Sequence, residues 1–120
     1  MRKFTAPLLA ISIVGSSPLM AADCGEPPQD KPNLPKTSQQ LTADDIRTAR
    51  NAVVSYSSKV TDYLTCMDNW IVKLRPYMTK EQSARFSDDT ANLHEDRISL
   101  EQQMNEIIRE YRRSRRSNNS

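Results

Sequence analysis

Two cysteines, Cys24 and Cys66, are the residues in this chain whose type and spacing promise a defined bond. The chain opens with Arg2 and Lys3, an apolar run from Phe4 to Val14, and small residues up to Ala21 and Ala22. That is the pattern of an export signal over residues 1–22, cleaved after Ala22 or Ala21. Export places the thiols in an oxidising compartment, periplasmic or secreted, where a pair of cysteines reads first as one intrachain disulfide. An intermolecular bridge and two free thiols are the alternatives. Asp23 stands where lipid attachment to Cys24 would want a small apolar residue, which argues against a lipoprotein. The apolar run falls short of the ~20 residues that span a bilayer, so no transmembrane segment is expected after cleavage.

Other chemically capable groups are sparse. His94, Glu95 and Asp96 are consecutive, and consecutive helical residues point in different directions, so they do not converge on a metal or a substrate. The chain holds 1 histidine and no second thiolate pair to complete a ligand set, and no metal or cofactor is expected. Arg112, Arg113, Arg115 and Arg116 form the densest charge run, a candidate contact for anionic lipid head groups or an acidic partner. The plainer explanation is a helix C-terminus, which favours cations. Asn118-Asn119-Ser120 matches a glycosylation acceptor but carries little weight at the end of the chain. Only Gly25 follows the signal, so the glycine-dependent loops of common enzyme scaffolds are missing, and no catalytic residue is assigned.

Charge narrows the partner classes. The chain carries 17 Lys+Arg against 15 Asp+Glu, but Arg2 and Lys3 leave with the signal. The processed chain is therefore neutral in sum, which gives no support to nucleic-acid binding.

The elements that must position these residues follow from pattern. Pro27, Pro28, Pro32 and Pro35 make residues 23–41 an extended leader with polyproline character. Thr42 is a suitable N-cap, with Asp44 and Asp45 in the first turn where the helix dipole favours negative charge. From there Ile46, Val53, Val60, Met67 and Leu74 recur at heptad spacing, interleaved by Ala49, Tyr56, Tyr63 and Trp70. This predicts a long helix with a packing seam over about residues 43–75, stopped by Pro76. Thr79 and Gln82 have capping-box spacing and open a second helix over about 80–113. Its seam is Phe86, Leu93, Leu100 and Ile107, alternating with Thr90, Arg97, Met104 and Tyr111. Arg97 is expected to lay its stem along the seam and hold its head in solvent. Residues 114–120 are expected to form a disordered basic tail.

A short connection forces antiparallel neighbours, so the fold class is all-α, a two-helix hairpin over residues 42–113 resembling a coiled coil. Folding about Tyr77 sets Tyr63 near Leu93, Tyr56 near Leu100 and Val53 near Met104. The 18 residues from Cys24 to Thr42 reach roughly 56 Å in polyproline geometry, and Cys66 lies about 36 Å up the helix, so the leader can fold back to it. Such a bridge would lay Leu34 and Leu41 on the hairpin as a partial third layer. Tyr56, Tyr63 and Trp70, evenly spaced, read as core rather than a ligand-stacking ladder because they share the heptad with Val and Met. Leu64 and Ile71 flank the seam on the side opposite Cys66, next to Trp70. They are either an exposed interface strip or a widened contact with the second helix.

The run Tyr63-Leu64-Thr65-Cys66-Met67, following Cys24-Gly25-Glu26-Pro27 and preceding Asn105-Glu106-Ile107-Ile108-Arg109-Glu110-Tyr111, resembles a group of short exported α-proteobacterial proteins. That group shares a Cys-x-x-Pro start, a Tyr-Leu-x-Cys-Leu-like core and an Asn-x-x-Ile-Arg-x-Tyr-like close. The resemblance implies a paired-cysteine helical hairpin and implies no activity. Met67 and the arginine run depart from the group's pattern. The expected function is a non-enzymatic interaction module with a protein partner or a second copy, the latter as a four-helix dimer. A holdase using the strip around Ile71, and an envelope-binding protein using the arginines, are the alternatives.

Overall fold

The computed structural model describes residues 24–37 and 40–118; the expected signal segment and the last two residues of the glycosylation triplet lie outside them. Two helices make up the described hairpin: α1, Ala43–Leu74, and α2, Lys80–Asn118, joined through a 3-10 turn at Arg75–Tyr77. No helix among the described residues is long and apolar enough to cross a membrane.

Both helix starts are closed by reciprocal side-chain bonds. The Asp45 amide donates to Thr42 Oγ1 at 3.1 Å and the Thr42 amide donates to Asp45 Oδ2 at 2.9 Å. Aspartate at this position thus completes a capping box and does more than complement the dipole. Those bonds hold the Asp45 carboxyl below its usual range, the Thr42 amide being the larger cause and its hydroxyl the second. At α2 the Gln82 amide donates to Thr79 Oγ1 and the Thr79 amide to Gln82 Oε1, each at 3.1 Å, as the spacing predicts.

α2 outruns expectation. It continues through residues 114–118, five past the predicted end, instead of giving way to a disordered tail at Ser114. Nothing between Arg112 and Asn118 breaks a helix, and arginine is a good helix former. The extra turns are also held from the side: Arg115 Nη1 donates to Tyr111 Oη at 3.3 Å, its guanidinium sitting 5.8 Å from the ring centroid. A cavity shared by Thr37, Gln40 and Leu41 with Tyr111, Ser114 and Asn118 places the leader's bend alongside them.

The core is Val53, Tyr56 and Val60 of α1 against Leu100, Met104 and Ile107 of α2. Val60 is 0% exposed and Leu100 2%. The expected Tyr56–Leu100 and Val53–Met104 layers both fall in this cluster, and Leu34 and Leu41 pack on it from the leader. Toward the turn the seam loosens: Tyr63, Met67, Trp70, Phe86 and Leu93 are half-buried and Ile71 alone is buried. Burial pushes the Tyr56 hydroxyl pKa up, with the charges of Asp96 and Asp30 adding to it. Tyr63 shifts the same way, from burial first and Asp89 second.

Cys24 and Cys66 form a disulfide with Cα atoms 5.7 Å apart. The leader therefore runs back along α1 as its length allows. Gly25, at φ 71°, takes the left-handed conformation just after the bridge, where a side chain would be strained. Asp30 Oδ2 receives a bond from Lys59 Nζ at 2.5 Å, a second tie between leader and α1. Lys59, and after it the Asp30 backbone, hold that carboxyl below its usual range.

A candidate anion-binding cleft

At 100° per residue, the α1 positions that meet the leader (Thr48, Ala52, Lys59, Cys66) and the positions Ala43, Ile46, Arg47 and Arg50 lie on opposite flanks of the seam. The second set has the i, i+3, i+4, i+7 spacing of one helix face. Antiparallel register sets it opposite Asn105, Ile108, Arg109, Arg112 and Arg116 of α2, which share that spacing through Arg112. Together with Tyr111 and Arg115 these residues enclose an open cleft of about 1200 Å³ at the end of the hairpin away from the turn.

Six arginines and no carboxylate line this cleft, and Ile46 and Ile108, half-buried against the core, form its floor. The arginines are not equivalent. Arg47 pairs with Asp44 and Arg109 with Glu106, each at 2.8 Å and each exposed. Arg115 is engaged by Tyr111. Arg50, Arg112 and Arg116 have no ion pair among the described residues, and all three are exposed. Guanidinium groups that share a cleft and lack acidic partners repel one another, and an incoming anion relieves that repulsion. Arginine adds geometry, since its planar fork matches a carboxylate or phosphate through two parallel bonds.

Of the four arginines singled out from the sequence, Arg112, Arg115 and Arg116 face the cleft, while Arg113 turns to Glu110 at 2.8 Å. Arg47, Arg50 and Arg109 were not anticipated. Their signal was present as helical spacing, but only the fold-back register brings Arg47 and Arg50 to Arg109 and Arg112.

The expected interface strip is not bare. Ile71 is 7% exposed and Leu64 packs on the core. Trp70 is half-buried. Arg97 is half-buried on the seam: its Nε is covered and without a partner among the described residues, while its outer nitrogens bond Glu101 Oε1 at 3.3 Å and the exposed His94 Nδ1 at 3.1 Å. No group of three or more potential metal ligands occurs among the described residues. Large exposed apolar side chains are scattered singly, at Val54, Val72, Tyr77 and Ile98, which is ordinary for a protein surface.

No protein-family model, curated protein or solved structure matches the chain. The disulfide fits an oxidising compartment, and function must be argued from the cleft itself.

Proposed function

We propose that this protein is a non-enzymatic interaction module of the periplasm or the exterior, which binds an anionic partner at the open end of its hairpin. The observation that carries this reading is a cleft lined by six arginines and no carboxylate, with Arg50, Arg112 and Arg116 making no ion pair among the described residues. Structural stability does not explain these three. Arg50, Arg112 and Arg116 are exposed and make no ion pair among the described residues, so they carry little of the fold. A helix terminus that needed only dipole compensation would be served by a cation or two in its last turn. The disulfide supports the location, as does the resemblance of the Cys66 segment to exported α-proteobacterial proteins.

Titration of the isotope-labelled, oxidised protein with inorganic tripolyphosphate tests the reading. The expected result is saturable amide shifts confined to the turns holding Ile46–Arg50 and Ile108–Arg116. Shifts centred on the turn at Arg75–Tyr77, or none, would overturn it.

A further inference from the structure

Charge on this molecule is small in sum, +2, and polar in space. The open end, residues 43–50 and 105–118, carries seven arginines against four carboxylates. The turn end, from Asp68 to Asp96, carries six carboxylates against four basic residues. An anionic plane would therefore draw the arginine end toward it and push the turn end away, fixing one orientation at encounter.

The cleft has two chemistries at different depths. Its arginines are exposed, while Ile46 and Ile108 are half-buried against the core and so lie deeper. A purely ionic partner would use only the arginines. At about 1200 Å³ the cleft is also larger than an inorganic phosphate needs, and is comparable with sites that take an organic molecule of drug size or above. A ligand that satisfies both depths is an amphiphile, with phosphate at the rim and hydrocarbon on the floor.

We infer that the cleft holds the phosphate head group of an anionic membrane lipid, its first acyl carbons lying on Ile46 and Ile108. The inference rests on the anion-binding reading above and narrows it to one source. Phosphate is gripped by Arg50 and Arg112, one from each helix and neither committed to an ion pair among the described residues. Arg115 and Arg116, in the last turns of α2, lie where the end of the rod would meet the bilayer. α2 therefore has a reason to outrun α1: its extra turns complete the set of arginines.

The test is co-sedimentation of the oxidised full-length processed chain with vesicles. One set contains phosphatidylglycerol in phosphatidylcholine, the other phosphatidylcholine alone. Binding is expected to the first set only, and to fall steeply with salt. Arg50→Glu and Arg112→Glu should each weaken it about tenfold or more, since each removes a cation worth about fivefold near such a surface and adds an anion. Arg113→Glu makes the same formal change one residue away, outside the cleft, where Glu110 already neutralises the arginine, and should weaken it about threefold or less. All three side chains are exposed, and circular dichroism confirms that each variant folds. Ile108→Ser should reduce vesicle binding while leaving tripolyphosphate binding intact. Equal losses for Arg112→Glu and Arg113→Glu would overturn the inference by showing a diffuse charge effect. Binding of tripolyphosphate or polyglutamate without binding of vesicles would overturn the lipid assignment and leave the anion-binding reading standing. No binding to any of these probes would end both.

Discussion

Around Val60 and Leu100 the two helices meet through side chains that solvent does not reach, whereas from Tyr63 to Phe86 nearly every seam residue is half-exposed. The disulfide sits in the second region, at Cys66, and the arginine cleft flanks the first. One half is thus held by close packing, with Leu34 and Leu41 of the leader laid over it, and the other begins at a covalent tie to the leader's start. The contrast follows from composition. Val53, Tyr56, Leu100, Met104 and Ile107 supply apolar volume on both helices, while Thr90 and Arg97 interrupt the α2 seam nearer the turn. Two helices bury one stripe only, so a stripe that loses apolar positions needs another source of order.

Removing the covalent tie should have the largest effect. Replacing both cysteines by serine opens a loop spanning 42 positions and should lower stability by about 4 kcal/mol in the chain-entropy model. Hydrogen exchange should accelerate first in the leader and from Tyr63 to the turn, with amides around Val53–Val60 yielding last. Uniform acceleration along α1 would break the contrast between the halves.

Core truncation sharpens it from the other side. Leu100→Ala should cost about 3 kcal/mol, and Leu93→Ala, half-buried one heptad away, about 1 kcal/mol. Urea melts of the oxidised variants measure both, and equal losses would show that the turn half is packed as tightly as the core half.

Caps should discriminate less. Thr42→Ala and Thr79→Ala each remove the hydroxyl acceptor from one reciprocal pair, leaving the backbone amide's bond in place, and should each cost about 1 kcal/mol. Their consequences should differ in place: fraying at the cleft for Thr42, and at the turn for Thr79, as read by amide exchange.

The smallest effects are those of pH, and they separate the regions by sign. Asp30 and Asp45 are held below the ordinary aspartate value of 3.8, so their contribution is present above it and is lost as pH falls through their lowered values. Acid should therefore loosen the leader and the start of α1. Tyr56 and Tyr63 are raised above 10.0, so the folded state keeps their protons longer than the unfolded chain does. Stability should decline as pH climbs past 10.0, with the seam affected first. Chemical melts across both ranges check this; a chain indifferent to alkali would show that the tyrosines are not held in the seam.

Much of the hairpin was legible because its signals are local or periodic. The heptads, the Thr79–Gln82 box, the stop at Pro76 and the reach of the leader to Cys66 each depend on spacing within one segment. The end of α2 was not, because arginines after Arg109 serve equally to close a helix or to continue one, and the side contacts of Arg115 arise only once the leader bends beside it. Ile71 was ambiguous for a related reason. A residue one step off a two-helix seam is covered or bare depending on how the helices lean, which spacing alone does not set. The cleft was half visible: the arginine run stood out, but its partners Arg47 and Arg50 lie about sixty positions away and look like ordinary surface residues of α1 until the chain folds back.

The site of the cysteine bond also governs where anything upstream of Cys24 departs from the rod. It leaves beside Cys66, 23 residues and about 35 Å along α1 from Ala43. A label, affinity handle or fused domain placed ahead of Cys24 would thus hold the molecule by its flank and leave the guanidinium-lined mouth unobstructed. The same addition after Asn118 would cap that mouth.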